Sequence, residues 1–212
     1  MIDLVAVNAG LGEPSSTRML VDRLVAATSA ALGGNRVDAT TIDVRDSAVD
    51  LGRSMAAGFA LGEARTAIAA VEKADALIVA SPVFNASYSG LFKTLFDLVD
   101  VDAMAGTPVL IAATGGSPRH SMVLDFALRP LFSYLRTVVM PTGVYAANQD
   151  WSGSAGEVGL SERIDRAARE LAASLEVGHT LRPTTAAPSE SVESAPESAG
   201  IATFARLLGN AG

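Results

Sequence analysis

The chain has 212 residues, 49% of them apolar and only 18% charged, which suits one well-buried domain with appendages. A formal charge of −7, with Lys73 and Lys93 as the only lysines, argues against a nucleic-acid partner. No cysteine is present and histidine occurs only at 120 and 179, so disulfides, thiolate nucleophiles and Cys- or His-rich metal sites are excluded.

The N-terminal MIDLVAVNAG is too short, and at Asp3 too acidic, for a signal peptide. No run of about 18 apolar residues occurs, so a membrane span is not expected and a cytoplasmic protein is. Residues 2–8 read as a buried strand running into the loop AGLGEPSST. A helix is expected over 18–32 from the spacing of Met19, Leu20, Leu24, Ala27 and Ala31, stopped by Gly33, Gly34 and Asn35. Residues 36–44 alternate like a strand, whereas 45–62 show little periodicity and read as a connection carrying something of its own. A helix over 63–74 and a short apolar strand over 76–80 follow, then the loop SPVFNASYSG and a helix over 90–99. Another strand spans 107–113, with the loop TGGSPRHS and a helix over about 121–135 after it. Residues 137–145 are strand-like, although Pro141 implies a break, bulge or edge, and 159–178 form a last long helix.

Strands alternating with helices imply a parallel sheet covered on both faces, and the strands over 2–8, 76–80 and 107–113 are apolar throughout, as that burial requires. Five strands in about 145 residues fit a flavodoxin-like three-layer α/β sandwich, a five-stranded parallel sheet of order 2-1-3-4-5. The expected domain covers residues 1–180. A flexible Pro/Ser/Glu-rich segment is expected over 181–200, and a short amphipathic segment over 201–212, where Ile201, Phe204, Leu207 and Leu208 recur at helical spacing.

In such sheets ligands sit beyond the carboxyl ends of the strands where the chain order reverses, so the loops after strands one, three and four should meet. The first ends in Pro14-Ser15-Ser16-Thr17 at a helix start, where free N–H groups, the helix dipole and three hydroxyls suit a phosphate; ordinary capping by Ser15 or Ser16 explains the same residues. In the second, Pro82 stiffens the backbone, Asn85 and Ser87 offer polar groups to a planar ligand, and Ala86 lets a ring approach the main chain. A plain turn with Phe84 and Tyr88 in the core is the competing account. The third, Thr114 to Ser121, has Gly115 and Gly116 for close backbone approach or positive φ, with Arg119 and His120 at the helix entrance.

At these loops the sequence resembles the NADPH-dependent FMN reductase family, and within it the reductases of two-component monooxygenase systems such as the alkanesulfonate system. The similar segments are AGLGEPSSTRMLVDRL, LIVASPVFNASYSGLFKTLFDLV and ATGGSPRHSMVLDFALRPLFSYLR, together most of residues 4–145. The resemblance implies that Ser15, Ser16 and Thr17 meet the FMN phosphate. Pro82, Val83, Phe84 and Asn85, with Ser87, would lie against the isoalloxazine ring. Thr114, Gly115, Gly116 and Ser117 would flank its far edge, with His120 close by. Two departures stand out. Glu13 occupies a region where the family often has an arginine, with Arg18 as the available compensation. Phe126 matches a tyrosine that, in the sulfonate-system enzymes, interrupts the following helix as a π-helical insertion at a subunit interface.

The implied activity is NAD(P)H:FMN oxidoreduction, with hydride passing from nicotinamide to FMN and reduced flavin going on to a monooxygenase. The flavin carries that chemistry, so scarce histidine and absent cysteine are no obstacle and no catalytic side chain is expected. An FMN-containing quinone or azo reductase shares the same loops and stays open. A flavodoxin-like electron carrier fits less well, because few aromatics other than Phe84 and Tyr88 are available to sandwich a ring. Large apolar residues in LFKTLFDLVD and LDFALRPLFSYLR exceed what one sheet face needs, which points to oligomerisation unless they simply complete the core, and the resemblance implies a homodimer or homotetramer.

Overall fold

Branched and small apolar residues form the central strands of the structure, a computed structural model that describes residues 1–33, 37–152 and 154–181. These strands are β1 (Ile2–Asn8), β3 (Ala76–Pro82) and β4 (Pro108–Gly115). With β2 (Val37–Asp43) and β5 (Val138–Val139) they make a parallel sheet of order β2-β1-β3-β4-β5, as expected. Alternate residues of the central strands enter opposite layers, so both parities must be apolar. Leu4, Ala6, Ile78, Ala80, Leu110 and Ala112 pack against Leu20 and Leu24 of α1 (Ser16–Ala31) and Leu160, Ile164 and Leu171 of α7 (Ser154–Leu181). On the other face Val5, Val7, Leu77, Val79, Val109 and Ile111 meet α3 (Gly62–Lys73), α4 (Gly90–Phe96) and α6 (Arg129–Tyr134). There Phe92, Phe96 and Phe132 form one buried cluster, with Phe92–Phe96 and Phe96–Phe132 centroids 4.8 and 4.9 Å apart. Much of the apolar surplus in these two helical segments therefore completes the core.

Three expectations change in detail. The strand over 137–145 is two strands: β5 pairs with Pro108–Val109, and β6 (Val144–Ala147) pairs with Ala112–Gly115 at the other end of β4. Pro141 lies between them, and Arg129 donates to the carbonyls of Met140 (3.0 Å) and Pro141 (3.1 Å) that the break leaves unpaired. The weakly periodic stretch 45–62 holds a 3₁₀ turn and a helix, α2 (Ala48–Ala57), in which only Leu51 and Ser54 are buried. So small a buried face leaves little apolar rhythm to read. The single helix expected over 121–135 is a 3₁₀ turn (Pro118–Met122), a π-helical turn (Leu124–Leu128) and α6 in succession. The π turn contains Phe126, at the position the resemblance marks.

Met1–Thr180 forms one compact unit, and Leu181–Gly212 is divided from it as a second. Residues after 181 lie outside the described ones, and the expected 181–200 and 201–212 segments fall almost wholly there. Among the described residues no helix is long and apolar enough to cross a membrane.

Candidate flavin site

The carboxyl ends of β1, β3 and β4 are adjacent in the sheet, so the loops that follow them start side by side. Direct hydrogen bonds knit them. Ala9 N–H donates to the Ala80 carbonyl at 3.0 Å, and Val83 N–H to the Thr114 carbonyl at 2.8 Å. The buried hydroxyls of Thr17 and Thr114 lie 2.7 Å apart and hydrogen-bond to each other. Thr114 is thus the junction of all three loops.

In the first loop Asn8 Oδ1 accepts from Gly10 N–H at 3.0 Å, and the chain then folds back so tightly that a Cβ on Gly10 would sit 2.1 Å from Ser15 Oγ. Ser15 caps α1, its Oγ accepting from Arg18 N–H at 3.1 Å. Ser16 is exposed in the first helical turn, while Thr17 is buried against Thr114. The charges nearby are engaged. Arg18 binds Asp22 at 2.8 Å and Asp43 at 2.6 Å, and these contacts, Asp22 foremost, raise its pKa above the ordinary arginine value. Arg45, brought in by the turn after β2, pairs with Glu13 and also reaches the Leu11 carbonyl at 3.5 Å.

The second loop contains a tight reversal. Phe84 N–H donates to the Ser87 carbonyl at 2.9 Å and Ser87 N–H to the Phe84 carbonyl at 3.1 Å, with Asn85 (φ 47°) and Ala86 (φ 67°) both left-handed. That pairing is a type I′ turn, in which asparagine is well tolerated and alanine is strained. Phe84 is 44% exposed and so is not in the core; Tyr88 is half-buried against Phe92, centroids 5.7 Å apart. Ser81 Oγ accepts from Ser89 N–H at 2.8 Å, and Ser89 in turn caps α4, closing the loop onto its helix.

In the third loop Gly115 and Gly116 have negative or extended φ, so left-handed backbone is not their reason. A Cβ on Gly115 would stand 2.4 Å from the Tyr145 hydroxyl, so the close approach there is by the protein's own side chain. That hydroxyl donates to the Ser117 carbonyl at 2.7 Å. Burial, and then the charge of Asp150, raise the Tyr145 pKa, which keeps the phenol protonated and donating. Ser117 Oγ accepts from Arg119 N–H at 3.3 Å, and His120 N–H donates to the Ser117 carbonyl at 3.1 Å. Gly116 is open, with Asn148 Nδ2 4.0 Å from a built Cβ.

Between the second and third loops lies a cleft of about 260 Å³, with Val83, Ala86 and Ser87 on one side and Arg119, His120, Met122, Val123 and Phe126 on the other. Of the residues singled out from sequence, Val83, Ala86, Ser87, Arg119, His120 and Phe126 line it directly. Ser15, Ser16 and Thr17 do not, and join it only through the Thr17–Thr114–Val83 connection. Pro82, Phe84, Asn85, Gly115, Gly116 and Ser117 frame it without lining it. Sequence reasoning passed over Arg45 and Tyr145. Arg45 lies just past the carboxyl end of β2, where the switch-point rule would have found it, whereas Tyr145 lies in the first half of β6 and only its pairing with β4 brings it to Gly115.

A profile of the family described as NADPH-dependent FMN reductase matches residues 2–152. The chain belongs to this family. Among its relatives in the family, an FMN reductase (NADPH) of Pseudomonas aeruginosa is 45% identical over 148 residues, 70% of this chain and 78% of that one. An NADH-dependent FMN reductase, SfnF, of Pseudomonas fluorescens is 44% identical over 151 residues, 71% of this chain and 79% of that one. A solved oxidoreductase from Corynebacterium diphtheriae is 45% identical and superposes with a TM-score of 0.79, covering 84% of this chain and 98% of that one. The flavodoxin-like sheet order and the reductase family thus agree. Relatives of nearly equal identity differ in the coenzyme they are named for, so family membership leaves the choice between NADH and NADPH to the chain's own residues.

Proposed function

We propose that the protein is an NAD(P)H:FMN oxidoreductase whose FMN lies across the three joined loops. Ser15, Ser16 and Thr17 take the phosphate, Pro82, Val83, Phe84, Asn85 and Ser87 lie along the ring, and Thr114, Gly115, Gly116, Ser117 and His120 lie at its far edge. The observation that carries this reading is the Thr114 junction, which brings a helix N-terminus and an open cleft to the same end of the sheet. The residues fit the ligand. The exposed Ser16 hydroxyl and the first-turn N–H groups of a 16-residue helix are donors for a phosphate, and the I′ turn presents main chain to a flat ring.

Bound FMN supplies a two-electron redox centre, and the chain's part is to position it. The hydrogen-bonded turn over 84–87 stiffens one wall of the cleft, the Tyr145–Ser117 contact stiffens the other, and the bond from Val83 N–H to the Thr114 carbonyl joins the two loops, which helps hold the fixed spacing that a stacked donor and acceptor require. No side chain in the lining needs to move a proton. Arg18 and Arg45 are both occupied by carboxylates, so neutral donors and the helix dipole carry most of the hold on the phosphate. Such a hold suits a flavin that leaves after reduction, and hence delivery of reduced FMN to a partner monooxygenase.

Several further points belong to the proposal. Met122 (55% exposed) and Phe126 (74%) line the cleft and yet stay open at the surface, and Tyr134 (74%) is exposed on α6, which supports a homodimer or homotetramer. Residues 1–180 are the catalytic domain, with the later residues as appendage. The cytoplasm, where nicotinamide coenzymes are at hand, is its location. Steady-state oxidation of NADH and NADPH, with and without added FMN, tests the activity. Oxidation that depends on and saturates with FMN is expected; coenzyme consumption indifferent to flavin would overturn the proposal.

A further inference from the structure

Three arginines stand near the carboxyl end of the sheet, and they differ in what they touch. Arg18 is held by Asp22 and Asp43, and Arg45 by Glu13, with Asp46 3.6 Å away. The guanidinium of Arg119 has no ion pair or side-chain hydrogen bond among the described residues, and it is the one arginine or lysine lining the cleft. Its backbone, by contrast, is pinned. Arg119 N–H is bonded to Ser117 Oγ, and the Ser117 carbonyl receives both His120 N–H and the Tyr145 hydroxyl. A fixed base with an uncommitted cationic head, on a chain of charge −7, is an arrangement for taking an anion.

The cleft decides which anion. A space of about 260 Å³, along which the flavin ring is proposed to lie, is too small to take in a whole dinucleotide as well. A coenzyme whose nicotinamide stacks on that ring therefore keeps its diphosphate outside the cleft, in reach of a long exposed side chain on its lining such as Arg119. The FMN phosphate is accounted for at α1, on the far side of the Thr17–Thr114 contact. The 2′-phosphate of NADPH lies beyond the diphosphate, on the adenosine ribose. We propose that Arg119 binds the diphosphate shared by NADH and NADPH, and so sets the affinity for the reduced coenzyme without taking part in the electron-transfer step. This rests on the reductase reading above.

The test compares wild type, Arg119→Ala and Arg119→Lys at saturating FMN, with NADH and NADPH varied in turn. In Arg119→Ala, KM should rise about tenfold for both coenzymes, while kcat stays within about twofold. Lysine, keeping the charge but not the planar fork, should restore part of the loss. Wild-type KM should climb with salt, and the alanine variant's much less. FMN affinity, read by fluorescence titration, should be unchanged. Unaltered KM for both coenzymes overturns the proposal. So does a rise confined to NADPH, which assigns the arginine to the 2′-phosphate, or weakened FMN binding, which assigns it to the flavin. A wild-type protein without flavin-dependent oxidation removes the reductase reading and this inference together; an active wild type with an unaffected Arg119→Ala removes the inference alone.

Discussion

Glu13 and Arg45 show how single residues set the strength of a phosphate site. The carboxylate occupies the cation and adds a like charge beside the loop proposed for FMN. Glu13→Gln should remove the repulsion and release Arg45, tightening FMN about threefold at low salt, with the gain shrinking as salt rises. Fluorescence titration showing equal or poorer affinity would count against Arg45 having access to the phosphate. Gly115 illustrates a different constraint. Its missing Cβ makes room for the Tyr145 hydroxyl, so Gly115→Ala should break the bond to Ser117 and destabilise the protein by about 2 kcal/mol. In a Tyr145→Phe background the same substitution should cost clearly less, because the clashing oxygen is gone. Equal costs in the two backgrounds, from urea unfolding, would show that the tyrosine is not the obstacle. The glycine pair was legible in the sequence as a place of close approach, but the partner was not. Tyr145 is 30 residues away in the chain, and only the parallel pairing of β6 with β4 delivers it.

At the level of elements, the I′ turn and α1 each carry a local cost that a substitution can relieve. A left-handed alanine is disfavoured by about 1–2 kcal/mol, partly offset by the extra unfolded-state freedom of glycine, so Ala86→Gly should gain about 0.5–1 kcal/mol. For a chain of this size that is a rise of about 2–3 °C in Tm, and a fall would mean the turn is not I′ in solution. Thr28 in α1 is fully buried, and its Oγ1 has no hydrogen-bond partner among the described residues. Thr28→Val keeps the shape and discards the unsatisfied hydroxyl, so a gain of about 1 kcal/mol in urea unfolding is expected; a loss would reveal a partner for the hydroxyl. Strongly periodic or wholly apolar elements such as β1, β3, β4 and α1 could be read from sequence because burial on a whole face imposes the pattern. By the same logic α2, buried at only two side chains, left no pattern, and the junction from 3₁₀ to π to α over 118–134 depends on how successive turns pack rather than on composition.

For the whole molecule, the layers described are closed. Both faces of the central strands are covered by α1 with α7, and by α3, α4 and α6. A chain ending at residue 181 should therefore keep its Tm within about 3 °C and retain FMN-dependent oxidation, as measured by thermal melting and the coupled assay. A drop of about 8 °C or more would give the later residues a structural part. The order of strands, the two-sided burial and the identity of the three loops follow from sequence alone, because parallel β-α-β connectivity and the hydrophobic period leave few other arrangements. Contacts between residues far apart in the chain were decided only by the folded structure. Thr17 meets Thr114 across 97 positions, and Arg45 is turned toward Glu13 across 32. Hydroxyls and charges carry no periodic signature, so which of them are free for a ligand and which are already engaged emerges only when the strands bring them together.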